Sequence, residues 1–298
     1  MLRITIKFIL LSLLITSQFS FSTQLPLKAF AGRPDVDSVT LSPDGKKVAS
    51  LVNVDTPDKT GTVISVFYVD SGKQDYVLFT DNSKFTLLDL TWANDNILLA
   101  DTKYPFSRQG TPVTETRLIK IDITSKKMSS VIPSSVMKRL KYIPNVQNDV
   151  IDYLEGDDNH LLLSLSGFSH TGEPTIFKIN LDGEGKSSVY QANKKHYVDW
   201  LTDVQNTIRI GIYRNKDQYK VMERKSDEDD LRELWSFDAF SAEEAWPLGF
   251  SVDPNILYVS ALHAGKTAVF TVDLKDPKLA KTLVHHNESY DVSTSIRR

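Results

Sequence analysis

Apolar and polar residues alternate in short runs along most of this chain, and the runs recur in one order. An apolar run enters a polar turn, as in Val39-Thr40-Leu41-Ser42-Pro43-Asp44-Gly45-Lys46-Lys47-Val48-Ala49, and a second apolar run leaves it. The same half-unit returns as Leu90-Thr91-Trp92-Ala93-Asn94-Asp95-Asn96-Ile97-Leu98, and again around Asp157, Asn206 and Asp253. A hairpin completes each unit: Val66-Phe67-Tyr68-Val69-Asp70-Ser71-Gly72-Lys73 is one, Ile176-Phe177-Lys178-Ile179-Asn180-Leu181-Asp182-Gly183 another. Period-two alternation predicts strands with one apolar face each. Asp, Asn, Gly and Pro suit the turns because they accept a positive φ or fix it. Four strands in a unit of roughly fifty residues describe a propeller blade.

The expected fold is therefore all-β, a β-propeller with five recognisable four-stranded blades over residues 23–298. A first strand of a sixth blade is expected at residues 292–296, which would leave the ring incomplete. An incomplete ring exposes apolar blade faces at its ends, here around residues 39–51 and 269–284. Trp92 and Trp200 occupy equivalent places in two repeats, with Tyr153 and Phe250 in two others. That periodicity assigns them to packing between blades, at about 2–3 kcal/mol each. Two segments interrupt the pattern. Residues 104–112 read as a long loop in the second unit. Residues 133–150 read as an insertion, with a short helix or turn over 136–141.

Composition narrows the setting. The chain has 298 residues, 24% of them charged, a net charge of −3 and no basic stripe, which argues against a nucleic-acid partner. Residues 1–22 read as a signal peptide. Arg3 and Lys7 precede a short apolar core, and Ser20 and Ser22 are small residues placed for cleavage before Thr23. Losing Arg3 and Lys7 takes the net charge from −3 to −5. No other segment is apolar enough to cross a membrane. There is no cysteine, so neither a disulfide nor a lipid-modified cysteine is available. An exported β protein without disulfides points to a periplasmic or secreted protein.

Leu25-Pro26-Leu27-Lys28-Ala29-Phe30, followed by the Ser42-Pro43-Asp44-Gly45 turn, resembles the opening of the propeller in bacterial prolyl oligopeptidase-type serine peptidases, in their acylaminoacyl-peptidase-like branch. Ile151-Asp152-Tyr153-Leu154 with Asn159-His160-Leu161-Leu162-Leu163 resembles a later blade of the same proteins. The resemblance implies a propeller of seven or eight blades that caps a C-terminal α/β-hydrolase domain and restricts access to short peptides. It also implies a Ser-Asp-His triad with the serine in Gly-x-Ser-x-Gly. No two glycines of this chain lie four residues apart, so that motif cannot occur in it. The chain accordingly reads as the propeller portion without the hydrolase domain. It is expected to bind or gate peptides and to have no catalytic residue, cofactor or metal. Glu243-Glu244 resembles the paired glutamates with which some of these propellers hold a substrate amino terminus. They are the candidates for peptide contact.

Other constellations carry less. Any Ser, His and Asp can be assembled on paper into a triad, but none stands in a strained nucleophile turn. His285 and His286 are neighbours in a strand, so they point to opposite faces and cannot share a metal. Gly183-Glu184-Gly185-Lys186-Ser187 lacks the first glycine of a phosphate loop and reads as a hairpin turn. Two alternatives remain: a free-standing periplasmic propeller that scaffolds a protein complex, and a five-bladed closed propeller with carbohydrate-enzyme activity in its axial channel.

Overall fold

The computed structural model describes residues 33–182, 186–226 and 229–293. The signal peptide at 1–22, the stretch 25–30 and the glycine turn 183–185 lie outside the described residues. All five sheets belong to one compact unit, Val36–Arg298.

Each sheet is an up-and-down antiparallel blade. Blade 1 is β1 (Val36–Leu41), β2 (Lys47–Thr56), β3 (Lys59–Tyr68) and β4 (Gln74–Thr80). Blade 2 is β5 (Thr86–Trp92), β6 (Ile97–Arg108), β7 (Thr111–Asp122) and β8 (Lys127–Ser130). An insertion with the short helix α1 (Ser134–Met137) follows, and its strand β9 (Val146–Gln147) joins blade 2 in parallel with β7. Blade 3 is β10 (Asp149–Asp152), β11 (His160–Leu165), β12 (Thr175–Asn180) and β13 (Ser188–Gln191). Blade 4 is β14 (Tyr197–Thr202), β15 (Ile208–Asn215), β16 (Gln218–Glu223) and β17 (Arg232–Asp238). Blade 5 is β18 (Ala245–Phe250), β19 (Ile256–His263), β20 (Lys266–Asp273) and β21 (Lys281–His285).

The pleat explains how blades bind each other. Leu161, Leu163 and Leu165 of β11 enter a buried cluster shared with blade 2, while Leu162 between them enters one shared with blade 4. Blade 2 divides likewise: Leu98 and Ala100 face blade 1, and Leu99 faces blade 3. A central strand covered on both faces loses the apolar–polar alternation, which is why β11 reads as a near-continuous leucine run. Four such clusters join blades 1–2, 2–3, 3–4 and 4–5. Among the described residues no buried cluster joins blade 5 to blade 1. Val39 (65% exposed) and Leu41 (58%) of blade 1, and Leu283 (42%) and Val284 (52%) of blade 5, are open to solvent.

The turns after each inner strand are also linked. Ser42 Oγ donates to Asp44 at 2.6 Å, and Gly45 closes that turn at a φ of +69°. Asp44 N–H donates to Asp95 in the second turn, Asn94 donates to Asp158 O in the third, and Asn206 of the fourth donates to Glu155 O. Arg209 reaches Pro254 O in the fifth at 3.5 Å. The inner ends of the blades are thereby fixed relative to one another.

Three sequence expectations change. Residues 104–112 are no loop: β6 and β7 pair through Arg108–Thr111 in one long hairpin turning at Gln109-Gly110. Its two prolines are tolerated because β5 pairs with β6 only as far as Lys103, so the side of Pro105 away from β7 has no ladder to break. Pro112 likewise lies beyond the reach of β8 and β9. The helix in the insertion sits at Ser134–Met137, two residues before the expected position. Trp200 is not equivalent to Trp92. Thr202 pairs with Ile208 where Trp92 pairs with Leu98, so Trp200 sits two residues deeper on the same face. Of the segment expected to open a sixth blade, Val292 N–H donates to Thr267 O in blade 5 at 3.0 Å, and residues 294–298 lie outside the described residues.

Candidate functional site

The inner strands of blades 2 to 5 and the first inner turn enclose a cavity of about 890 Å³. Pro43 of blade 1, Trp92 of blade 2, Tyr153 of blade 3, Trp200 of blade 4 and Leu248 of blade 5 all border it. This is the axial channel of the propeller. Nine carboxylates line it, and among the described residues no Lys, Arg or His does. Two of the nine are ion-paired outward: Asp157 to Lys178 at 2.7 Å and Asp203 to Arg209 at 3.2 Å.

Strand register shows where three of the others come from. Asp89 pairs with Asp101, Asp149 with Ser164 and Asp199 with Ile212, and each partner is the fifth residue of its blade's second strand. Asp37 pairs with Leu51 at the same position in blade 1, and Trp246 with Ser260 in blade 5. One position of the inner strand thus carries aspartate in four consecutive blades, three of them on the channel wall. In three of these, the carboxylate accepts the N–H of the next residue: Ser38 at 2.8 Å, Leu90 at 3.0 Å and Trp200 at 2.8 Å. A β-bulge lies beside each of the four.

Burial in the channel wall raises two of these carboxyls. Asp199 is exposed on its channel side, yet burial by the surrounding wall pushes its carboxyl up to about 6, with the Trp200 N–H opposing the effect and the negative charge of Asp149 adding to it. Enclosure likewise raises Asp149, against a hydrogen bond from Ser164. At the rim, Asp157 behaves in the opposite way: burial raises it, but Lys178 and His160 outweigh burial and hold it at about 2.

Three polar atoms of lining residues are buried with no hydrogen-bond partner: Asp152 Oδ2, Trp200 Nε1 and Thr202 Oγ1. Trp92 differs, since its Nε1 donates to Thr40 O of blade 1 at 3.2 Å. Among the described residues no three acidic or histidine side chains converge to hold a metal ion.

Glu243 and Glu244 lie away from this cavity, in the connection between β17 and β18. Glu244 is engaged within its own loop. It accepts the Phe240 N–H, and its second oxygen accepts Trp246 Nε1 at 3.1 Å. Glu243 is exposed. A second cleft, of about 830 Å³, lies between the β6–β7 hairpin and the insertion, bordered by Tyr104, Phe106, Met137 and Ile143. The buried Glu115 in its wall is paired to Arg117 at 2.8 Å. Residue type alone does not set the channel aspartates apart from the other acids near the turns, although Asp89, Asp149 and Asp199 each stand three residues before the end of their inner strand. The signal that was available is an Asp in every inner strand of the first four units.

No protein-family model matches this sequence. No curated protein matches it either. Solved structures do. A prolyl endopeptidase superposes with a TM-score of 0.54 at 15% identity, over 86% of this chain and 37% of its own. An oligogalacturonate lyase in complex with manganese superposes with a TM-score of 0.53 at 11% identity, over 88% of this chain and 68% of its own. The β-propeller domain of the Trilobed protease from Pyrococcus furiosus gives 0.48 at 13% identity, over 87% and 73%. The chain thus spans little more than a third of the prolyl endopeptidase it matches. At these identities the likeness is one of fold: this chain is a β-propeller of up-and-down four-stranded blades.

Proposed function

We propose that this chain is the propeller portion of an exported prolyl oligopeptidase-type peptidase, that it admits and holds peptides in its axial channel, and that it performs no peptide hydrolysis itself. The observation that carries the reading is the channel: an open cavity of about 890 Å³ bordered by all five blades, in a fold that superposes on a prolyl endopeptidase. A clump of polar groups within an apolar frame is what a peptide site needs. The absence of Gly-x-Ser-x-Gly from the sequence supports catalytic silence. The short apolar core at residues 8–15 supports export.

The fold alone would equally suit a sugar-cleaving enzyme such as the oligogalacturonate lyase. Galacturonate residues carry carboxylates, however, and a channel lined by nine acids repels a polyanion. A scaffold reading draws support from the exposed apolar residues Val39, Leu41, Leu283 and Val284 at the two terminal blades.

The test is a pair of measurements on the purified chain. A fluorophosphonate probe is expected to leave it unlabelled, and short peptides are expected to change its tryptophan fluorescence saturably, through Trp92 and Trp200. Stoichiometric labelling abolished by one Ser→Ala change overturns the silence. Failure of any peptide to bind overturns the channel reading.

A further inference from the structure

Among the described residues one large apolar side chain is 100% exposed, that of Phe240. It stands in the connection between β17 and β18 at a φ of +62°, a conformation that a bulky residue rarely adopts and that costs local stability. The loop is held in this shape from both sides. The Phe240 N–H donates to Glu244, whose other oxygen accepts Trp246 Nε1 at 3.1 Å, and the Ala239 N–H donates to Asp217 O at 2.8 Å. An aromatic ring fixed outward on a firm loop has the form of a binding anchor, because little freedom is lost when it is buried in a partner.

The same chain carries a receptor of matching chemistry. The cleft of about 830 Å³ presents Phe106, Met128 and Ile143, all about half-exposed, and has room for a ring with the loop tip behind it. Charge matches as well. Residues 133–147, which border the cleft, contain Lys138, Arg139 and Lys141 and no acid. Residues 237–244, around the ring, contain Asp238, Glu243 and Glu244 and no cation. Lys138, Arg139, Lys141, Asp238 and Glu243 are exposed, and among the described residues none of these five is ion-paired. Both segments lead from the last strand of one blade to the first strand of the next, after β8 and after β17. In an up-and-down blade of four strands the last strand ends on the side where the first began, so ring and cleft lie on one face of the propeller. We propose that this face pairs with the same face of a second copy, each Phe240 entering the other's cleft. Two-fold symmetry makes the contact reciprocal and closes the assembly at two. The acids around each ring meet the cations beside each cleft, which fixes orientation and makes the pairing sensitive to salt.

Sedimentation velocity of the full chain across a concentration series tests it. The wild type is expected to form a dimer and nothing larger, weakened roughly tenfold between low and high salt. Phe240→Asn removes the ring and suits the backbone, and Ile143→Glu places an acid in the cleft; both sites are exposed, and circular dichroism checks the fold of each variant. Each variant alone is expected to stay monomeric. Their equimolar mixture, which keeps one ring and one intact cleft, is expected to dimerise at least tenfold more weakly than the wild type. A wild type that stays monomeric overturns the proposal, and so does a dimer that survives Phe240→Asn. Growth beyond the dimer overturns the reciprocal geometry. Two monomeric variants whose mixture also stays monomeric show that ring and cleft do not meet, and overturn it too.

Discussion

Blade 4 holds acidic groups in two environments, and the contrast separates what builds the propeller from what the propeller presents. At the base of the blade, Glu223 is 1% exposed and accepts from Arg209 at 2.8 Å and Arg232 at 2.6 Å. Arg209 also meets Asp203, and Arg232 reaches across to Leu274 O of blade 5 at 3.1 Å. Every charge there has an opposite charge against it. On the inner strand of the same blade, Asp199 faces the channel, where burial raises its carboxyl and the negative charge of Asp149 adds to the rise instead of offsetting it. Compensated charge ties blade 4 to blade 5. Like charge on the wall works against the fold, and positions of that kind cluster at functional sites.

The strongest blow to this contrast comes from the compensated side. Glu223→Ala leaves the buried Arg209 with Asp203 alone and Arg232 with no carboxylate among the described residues, and is expected to cost about 3 kcal/mol in urea unfolding. A cost below about 1 kcal/mol would mean that the network is decorative and the contrast empty. The tryptophans repeat the contrast on a smaller scale. Trp92→Phe removes a hydrogen bond to the Thr40 carbonyl, whereas Trp200→Phe removes an N–H that has no partner. Beyond the ring area both lose, Trp92→Phe is expected to be worse by about 1 kcal/mol. Equal costs would place a hidden partner on Trp200.

The smallest effect is the dependence on pH. The folded Asp199 titrates near 6, above the ~3.9 of an unfolded aspartate. The folded state therefore holds this proton more tightly. The stability linked to it is fully present below about pH 4 and is lost as pH rises through about 6. Asp199→Asn is expected to remove that decline, so that variant and wild type diverge between acidic and neutral pH in denaturant midpoints. Parallel curves would show that the wall does not strain the carboxylate.

Alternation and turn chemistry made the blades legible: the Ser42-Pro43-Asp44-Gly45 turn and its counterparts all fall at the inner ends of blades, because each must reverse the chain in a few residues. The β6–β7 hairpin was hidden by Pro105, Gly110 and Pro112, residues that announce a loop unless the strand's far side is unpaired. The aspartate position was less legible. Asp89, Asp149 and Asp199 each stand three residues before the end of their inner strands, while Asp37 stands four before the end of β1, where the register shifts between Asp37 and Thr40. What the spacing does not show is that three of these carboxylates share one channel wall. Which side chains share a channel is a matter of register, and register is not written in any single strand.

The chain of four inter-blade clusters has a further consequence. Among the described residues each blade's core is shared with its immediate neighbours in sequence alone, so stability is distributed as in a linear array, a sum of blade terms and nearest-neighbour couplings. Blades 2, 3 and 4 have two couplings each and blades 1 and 5 one. Opening then proceeds inward from the ends, and the acidic wall, contributed mostly by the three inner blades, is the last part to lose its geometry.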